Sequence, residues 1–127
     1  MKSAQWYRIG FVLLAMGVIL GAFGAHALKK VLPAESLQAW QTAILYHFIH
    51  SLGLIAIARF TDSSKAMLWS ARLLVVGLVC FSGSLYFLAC KTLMPFSVDF
   101  MGPITPIGGV CWIAAWVLAA IGIPRNS

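Results

Sequence analysis

Between Ile9 and Leu28 the chain carries no Lys, Arg, Asp or Glu, and a run of about 20 apolar residues is what one helix needs to cross the hydrocarbon of a bilayer. Three more such stretches follow, from about Trp40 to Ala58, from Leu68 or Leu73 to Cys90, and from Gly108 to Ile123. The last reaches further back if Pro103 and Pro106 sit in its first turns, where a missing amide hydrogen has no helical partner to lose. The spans are placed at about residues 9–28, 40–58, 70–90 and 104–123. Apolar character all round each segment, with no period-2 alternation, argues for helices and against a lipid-embedded barrel.

Composition supports a lipid solvent. Of 127 residues 61% are hydrophobic and 9% charged, against about 45–50% and 25% in soluble domains. A small soluble domain buries only about two-thirds of what its unfolded chain exposes, too little to hide this much apolar surface. A soluble enzyme and a disordered chain are excluded. The net charge of +6 does not indicate a nucleic-acid partner, because the cations are scattered between apolar runs and gather on no single face.

The connections at 29–39, 59–67 and 91–100 are short, so consecutive helices should be antiparallel neighbours in one all-α domain over residues 1–127, an integral membrane up-down-up-down four-helix bundle. Pro33 and Glu35 read as the start of the second helix, with the Glu35 charge complementing the helix dipole. Asp62, Ser63 or Ser64 would cap the third. Lys2, Arg8, Arg59, Lys65, Arg72 and Arg125 fall on one side, and Lys29, Lys30 and Lys91 on the other. Cytoplasmic segments carry the excess of Lys and Arg, so both termini are expected inside a plasma membrane. Trp6, Tyr7, Trp40 and Trp69 near span ends fit an interfacial aromatic belt. Ala25-His26-Ala27 after an apolar run mimics a secretory cleavage site, but the run is longer than a signal core and bears a glycine stripe, so the first span is read as retained.

Between lipid-embedded helices, close backbone approach through small residues supplies much of the attraction. Gly10, Gly17, Gly21 and Gly24 line one face of the first span, with a G-x-x-x-G at Gly17 and Gly21; Gly108, Ala115, Ala119 and Gly122 do the same on the fourth. Both stripes predict tight interfaces, within one chain or between copies. Cys80, Cys90 and Cys111 have no C-x-x-C spacing and read as packing residues.

His47 and His50 lie three apart on the second span, hence on one face, with Tyr46 beside them and Ser51 nearby. Counting residues places them in the non-cytoplasmic half of the bilayer, at the level of Ser82, Ser84 and Tyr86 on the third span, and with His26 and Thr105 on the first and fourth. Intramembrane ionisable residues point by default to a functional site. The plainer alternative is neutral histidines hydrogen-bonded to Tyr86, the serines or backbone carbonyls as interhelical glue. Histidines at i and i+3 sit on one side of a helix and cannot bracket a haem, and a metal would lack a third and fourth ligand, so no metal or cofactor is expected. No Asp or Glu lies within a span, which removes carboxylate-driven exchange and leaves nothing to orient a histidine beside Ser82 or Ser84 for covalent catalysis.

Gly21-Ala22-Phe23-Gly24-Ala25-His26, Trp40-Gln41-Thr42-Ala43 leading into Tyr46-His47 and His50, Phe81-Ser82-Gly83-Ser84-Leu85-Tyr86, and Thr105-Pro106-Ile107-Gly108-Gly109 with Trp116 together resemble the YgdD/YwdK family of small bacterial inner-membrane proteins. The resemblance runs through almost the whole chain in order. Alanine at position 27, in place of the family's usual glycine, is a minor departure. It implies a four-span membrane protein and carries over no catalytic residue. The expectation is a non-enzymatic interaction or accessory subunit, with the bilayer and other membrane proteins or further copies as partners. The alternative is a small transporter or ion-conducting oligomer with a path along Tyr46, His47, His50 and Tyr86.

Overall fold

The computed structural model describes residues 2–126. Its helices are α1 (Ser3–His26), α2 (Ala34–Ala58), α3 (Lys65–Leu78), α4 (Ser84–Ala89) and α5 (Ile104–Gly122). A π-helical turn over Val79–Gly83 joins α3 to α4, so the two form one interrupted rod. Short 3₁₀ turns occupy Leu28–Lys30, Lys91–Leu93 and Asp99–Met101, and no strand occurs among the described residues. Among the described residues four helical segments are long and apolar enough to cross a membrane, in accord with the all-α expectation.

The first three rods outrun the apolar stretches. Hydropathy marks the part suited to lipid, whereas a helix continues until its end groups are capped. α1 therefore begins at Ser3, where the Gln5 side chain accepts the Lys2 N–H at 2.8 Å. α2 begins directly after Pro33, with Glu35 in its first turn. Of the three proposed caps for α3 it is Ser64 whose Oγ accepts the Met67 N–H, at 3.3 Å.

At one end of the bundle the Ser3 N–H donates to Asp62 at 3.0 Å, and Gly122 lies against Ala66 and Ser64. The amino terminus, the 59–64 link and the end of α5 thus share that end, and each rod runs antiparallel to its successor. α1 packs on α2, α2 on the α3–α4 rod, and α5 on α3 and the π-turn. The two central rods are the more buried: 39% of the most apolar window of α2 is inside, against 17% for the first and last segments. α1 and α5 flank the row and turn Val18, Ile19, Val110, Ile113 and Ile121 outward. The main core lies toward the end that holds the amino terminus, around Trp6, Leu54, Met67, Leu74 and Trp112. A smaller one joins Leu28, Leu32, Trp40 and Ala89 at the other.

The aromatic belt needs correction. Trp6 and Trp40 are each only 4% exposed and belong to the interior. Trp69 is exposed as expected, with the Arg72 guanidinium 4.7 Å over its ring.

Candidate functional site

Inside a helix every carbonyl already accepts one amide hydrogen and keeps a second lone pair free. Polar side chains from neighbouring helices use those lone pairs throughout this bundle. Between α1 and α2, the Trp40 indole N–H donates to the Leu20 carbonyl at 3.0 Å and His47 Nε2 meets the Leu13 carbonyl at 2.7 Å. Trp40 and His47 are seven residues apart, as are Leu20 and Leu13, so two donors on one helix match two acceptors on its antiparallel neighbour in one register. Between α2 and the third rod, Ser82 donates to the Ala43 carbonyl at 2.8 Å. Between α3 and α5, Ser70 donates to the Ala115 carbonyl at 2.7 Å and the Trp112 indole to the Leu74 carbonyl at 3.1 Å.

His47 is fully buried and joins three helices. A carbonyl can only accept, so the nitrogen facing Leu13 carries the hydrogen. In the neutral ring Nδ1 is then the acceptor, and the Tyr86 hydroxyl, 2.8 Å away, donates to it. The chain of bonds runs from Tyr86 on α4 through His47 on α2 to the backbone of α1, where it stops at a carbonyl that has no proton to pass on.

The residues expected to form one constellation separate into several groups. His47 and Tyr86 are joined as described. Ser82 turns toward α2, whereas Ser84, two residues on, donates to the Phe81 carbonyl and is paired with Thr105 on α5. The π-turn ends between them, and a one-residue widening of the helix changes which neighbour each hydroxyl faces. His50 gives its Nδ1 hydrogen to the Tyr46 carbonyl at 2.8 Å, and its ring stacks on Trp112 with centroids 3.6 Å apart and planes 5° from parallel. Tyr46 stacks on the same indole at 5.7 Å. His26, the last residue of α1, is exposed and stands apart from these groups. α2 begins at Ala34, so His47 lies close to the middle of that helix. Among the described residues no three His, Cys, Asp or Glu side chains converge as a metal site would require.

Of the two small-residue stripes, most positions are held by close contact inside the chain. A Cβ on Gly17 would stand 2.9 Å from the Phe48 ring, one on Gly10 would stand 2.6 Å from Ile55, and one on Gly24 would strike the Trp40 indole. Gly10, Gly17 and Gly24 repeat every seven residues, the period of a left-handed helix pair. Gly21, the partner in the G-x-x-x-G pair, is an exception, since its nearest neighbour would be Ile44 at 3.8 Å. On α5, Gly108 lies against the backbone of Cys80 and Phe81, Ala115 is fully buried, and Ala119 packs against the main core. Sequence reasoning missed Trp40, Ser70 and Trp112 as interhelical donors. A heptad search for donor side chains opposite the glycines would have found Trp40.

Comparison with known proteins agrees with this architecture. A family model described as a protein of unknown function, DUF423, matches residues 20–109. The UPF0382 membrane protein YwdK of Bacillus subtilis is 39% identical over 112 residues, covering 86% of this chain and 85% of the relative. The UPF0382 inner membrane protein YgdD of Escherichia coli K12 is 38% identical over 118 residues, 91% and 83% of the two chains. A UPF0382 membrane protein of Staphylococcus saprophyticus is 41% identical over 115 residues, 90% and 92%. No solved structure matches. The resemblance to YgdD and YwdK rests on relatives matched along most of their length, and this chain, a membrane protein, belongs to the DUF423 family.

Proposed function

We propose that the protein is a non-enzymatic interaction or accessory subunit of the bacterial plasma membrane, with both termini in the cytoplasm. The observation that carries this reading is the termination of the central hydrogen-bond chain: Tyr86 and His47 end on the Leu13 carbonyl. Bonds of this kind join helices and offer no onward route for a proton. The six Lys and Arg at the end shared by the termini, against three at the other, support the orientation.

Two measurements test the reading. Purification from native membranes in mild detergent, with identification of co-purifying proteins, an absorption spectrum and elemental analysis, should yield a reproducible protein partner; haem or stoichiometric metal would replace this reading with a cofactor one. Replacing His47 and His50 together should lower thermal stability in detergent. Unchanged stability accompanied by lost proton or solute flux in vesicles would favour the small transporter instead.

A further inference from the structure

At the end of the bundle away from the termini, the start of α2 and the close of the third rod flank an open cavity of about 370 Å³, a volume typical of small-molecule sites. One wall is the first turn of α2. Its Ala34, Glu35 and Ser36 amides have no intrahelical carbonyl to reach, and Pro33 before them supplies no side-chain cap. Ser36 lines the cavity and is only 9% exposed. Its hydroxyl has no hydrogen-bond partner among the described residues, yet it is not one of the sealed polar atoms of the interior, so it opens onto the cavity. The other wall carries Lys91 and Thr92. Glu35 and Lys91 share this cavity without forming an ion pair among the described residues. Opposite charges left apart around one cavity fit a ligand that carries both signs.

We propose that this cavity seats the headgroup of a zwitterionic phospholipid bearing a primary amine, its phosphate at the α2 amides, the Ser36 hydroxyl and Lys91, and its ammonium at Glu35. Free amides and the helix dipole converge on an anion at the start of a helix. A purely anionic headgroup would also have to approach the Glu35 carboxylate, whereas a primary ammonium satisfies that carboxylate with a charge-assisted hydrogen bond. A trimethylated choline has no N–H to give it. The bilayer presents such a headgroup at this level: Glu35 is the second residue of one spanning segment, and Lys91 lies two residues past the end of the next, where lipid phosphates and amines border the hydrocarbon. The apolar part of the lining, at Ala39 and Leu88, leads into the spanning parts of both rods and gives the acyl chains a surface to follow. Water-soluble phosphoethanolamine carries the same two charges but has no chains to lie there. The site depends neither on the interaction-subunit reading nor on which end faces the cytoplasm.

The test titrates the full chain in detergent micelles with phosphatidylethanolamine, phosphatidylcholine or phosphatidylglycerol of identical acyl chains, and native mass spectrometry counts the lipids retained. Each chain should hold one phosphatidylethanolamine in preference to the other two. Lys91→Gln and Ser36→Ala should each weaken its retention about fivefold. Glu35→Gln should keep a bound lipid and abolish the preference for the ethanolamine headgroup. Lys29→Gln, which removes a cation at the same end but outside the cavity lining, should change nothing. Lys91 and Glu35 are exposed, so their variants should keep the helical circular dichroism of the parent; if Ser36→Ala fails to fold, these two decide. Equal retention of the three lipids, or equal losses from Lys29→Gln and Lys91→Gln, would overturn the proposal. So would displacement of the lipid by free phosphoethanolamine at equal concentration, which would give the cavity to a soluble phosphate ester.

Discussion

Two tryptophans with equal burial make different uses of their indole nitrogen. Trp112 donates to the Leu74 carbonyl and carries the His50 ring on its face; Trp6 sits in the same core with its N–H buried and unpaired. An orphaned buried donor costs about 1–3 kcal/mol, so removing it offsets part of the loss on truncation. Trp6→Phe should therefore destabilise the protein less than Trp112→Phe, by about 1–2 kcal/mol, measured as the difference in unfolding free energy in mixed micelles. Equal losses would show that Trp6 has a partner after all. Tyr86→Phe should cost about 0.6 kcal/mol and at most about 1.7, the range for hydrogen bonds between membrane helices. His47→Leu should cost more, because it removes two bonds and leaves the Tyr86 hydroxyl without a partner in the interior.

Adjacent glycines on α5 separate packing from propensity at the level of the element. A methyl on Gly108 would stand 2.8 Å from the Phe81 Cβ and 2.9 Å from the Cys80 carbonyl carbon, neighbours that belong to the backbone of the π-turn or are fixed to it. Gly108→Ala should thus cost about 1–3 kcal/mol through overpacking. Gly109→Ala meets open space and should be neutral or stabilise the monomer by up to about 1 kcal/mol through helix propensity. Thermal unfolding of the two variants side by side checks the contrast. The four rods, the start of α2 at Pro33 and the glycine face of α1 were legible in the sequence, because hydropathy and small-residue spacing are local signals, whereas the cap of α3 was narrowed only to Asp62, Ser63 or Ser64. The π-turn was not legible, since nothing in Val79–Gly83 departs from an apolar helical pattern, and its close neighbour, the Gly108 backbone on α5, is distant in sequence. The same gap explains why Ser82 and Ser84 read as one cluster and in fact serve different neighbours. His26 was grouped with them by depth alone, and depth does not fix which face a residue occupies.

For the molecule as a whole, the shared end of the two termini is the measurable property. Cysteine substitutions at Ser3 and Asn126 should be labelled by an impermeant maleimide only from the cytoplasmic side, and labelling of either from outside would reverse the orientation drawn from Lys and Arg. The row of helices also has a bearing on biogenesis. α1 finds its donors on α2, and α3 and α5 exchange theirs, so each pair is formed by segments adjacent in the chain and needs no long-range search on insertion. The chain thus divides into two consecutive hairpins, with Ser82 and Tyr86 of the third rod bonded to α2 and the His50 ring stacked on Trp112 as the seams between them.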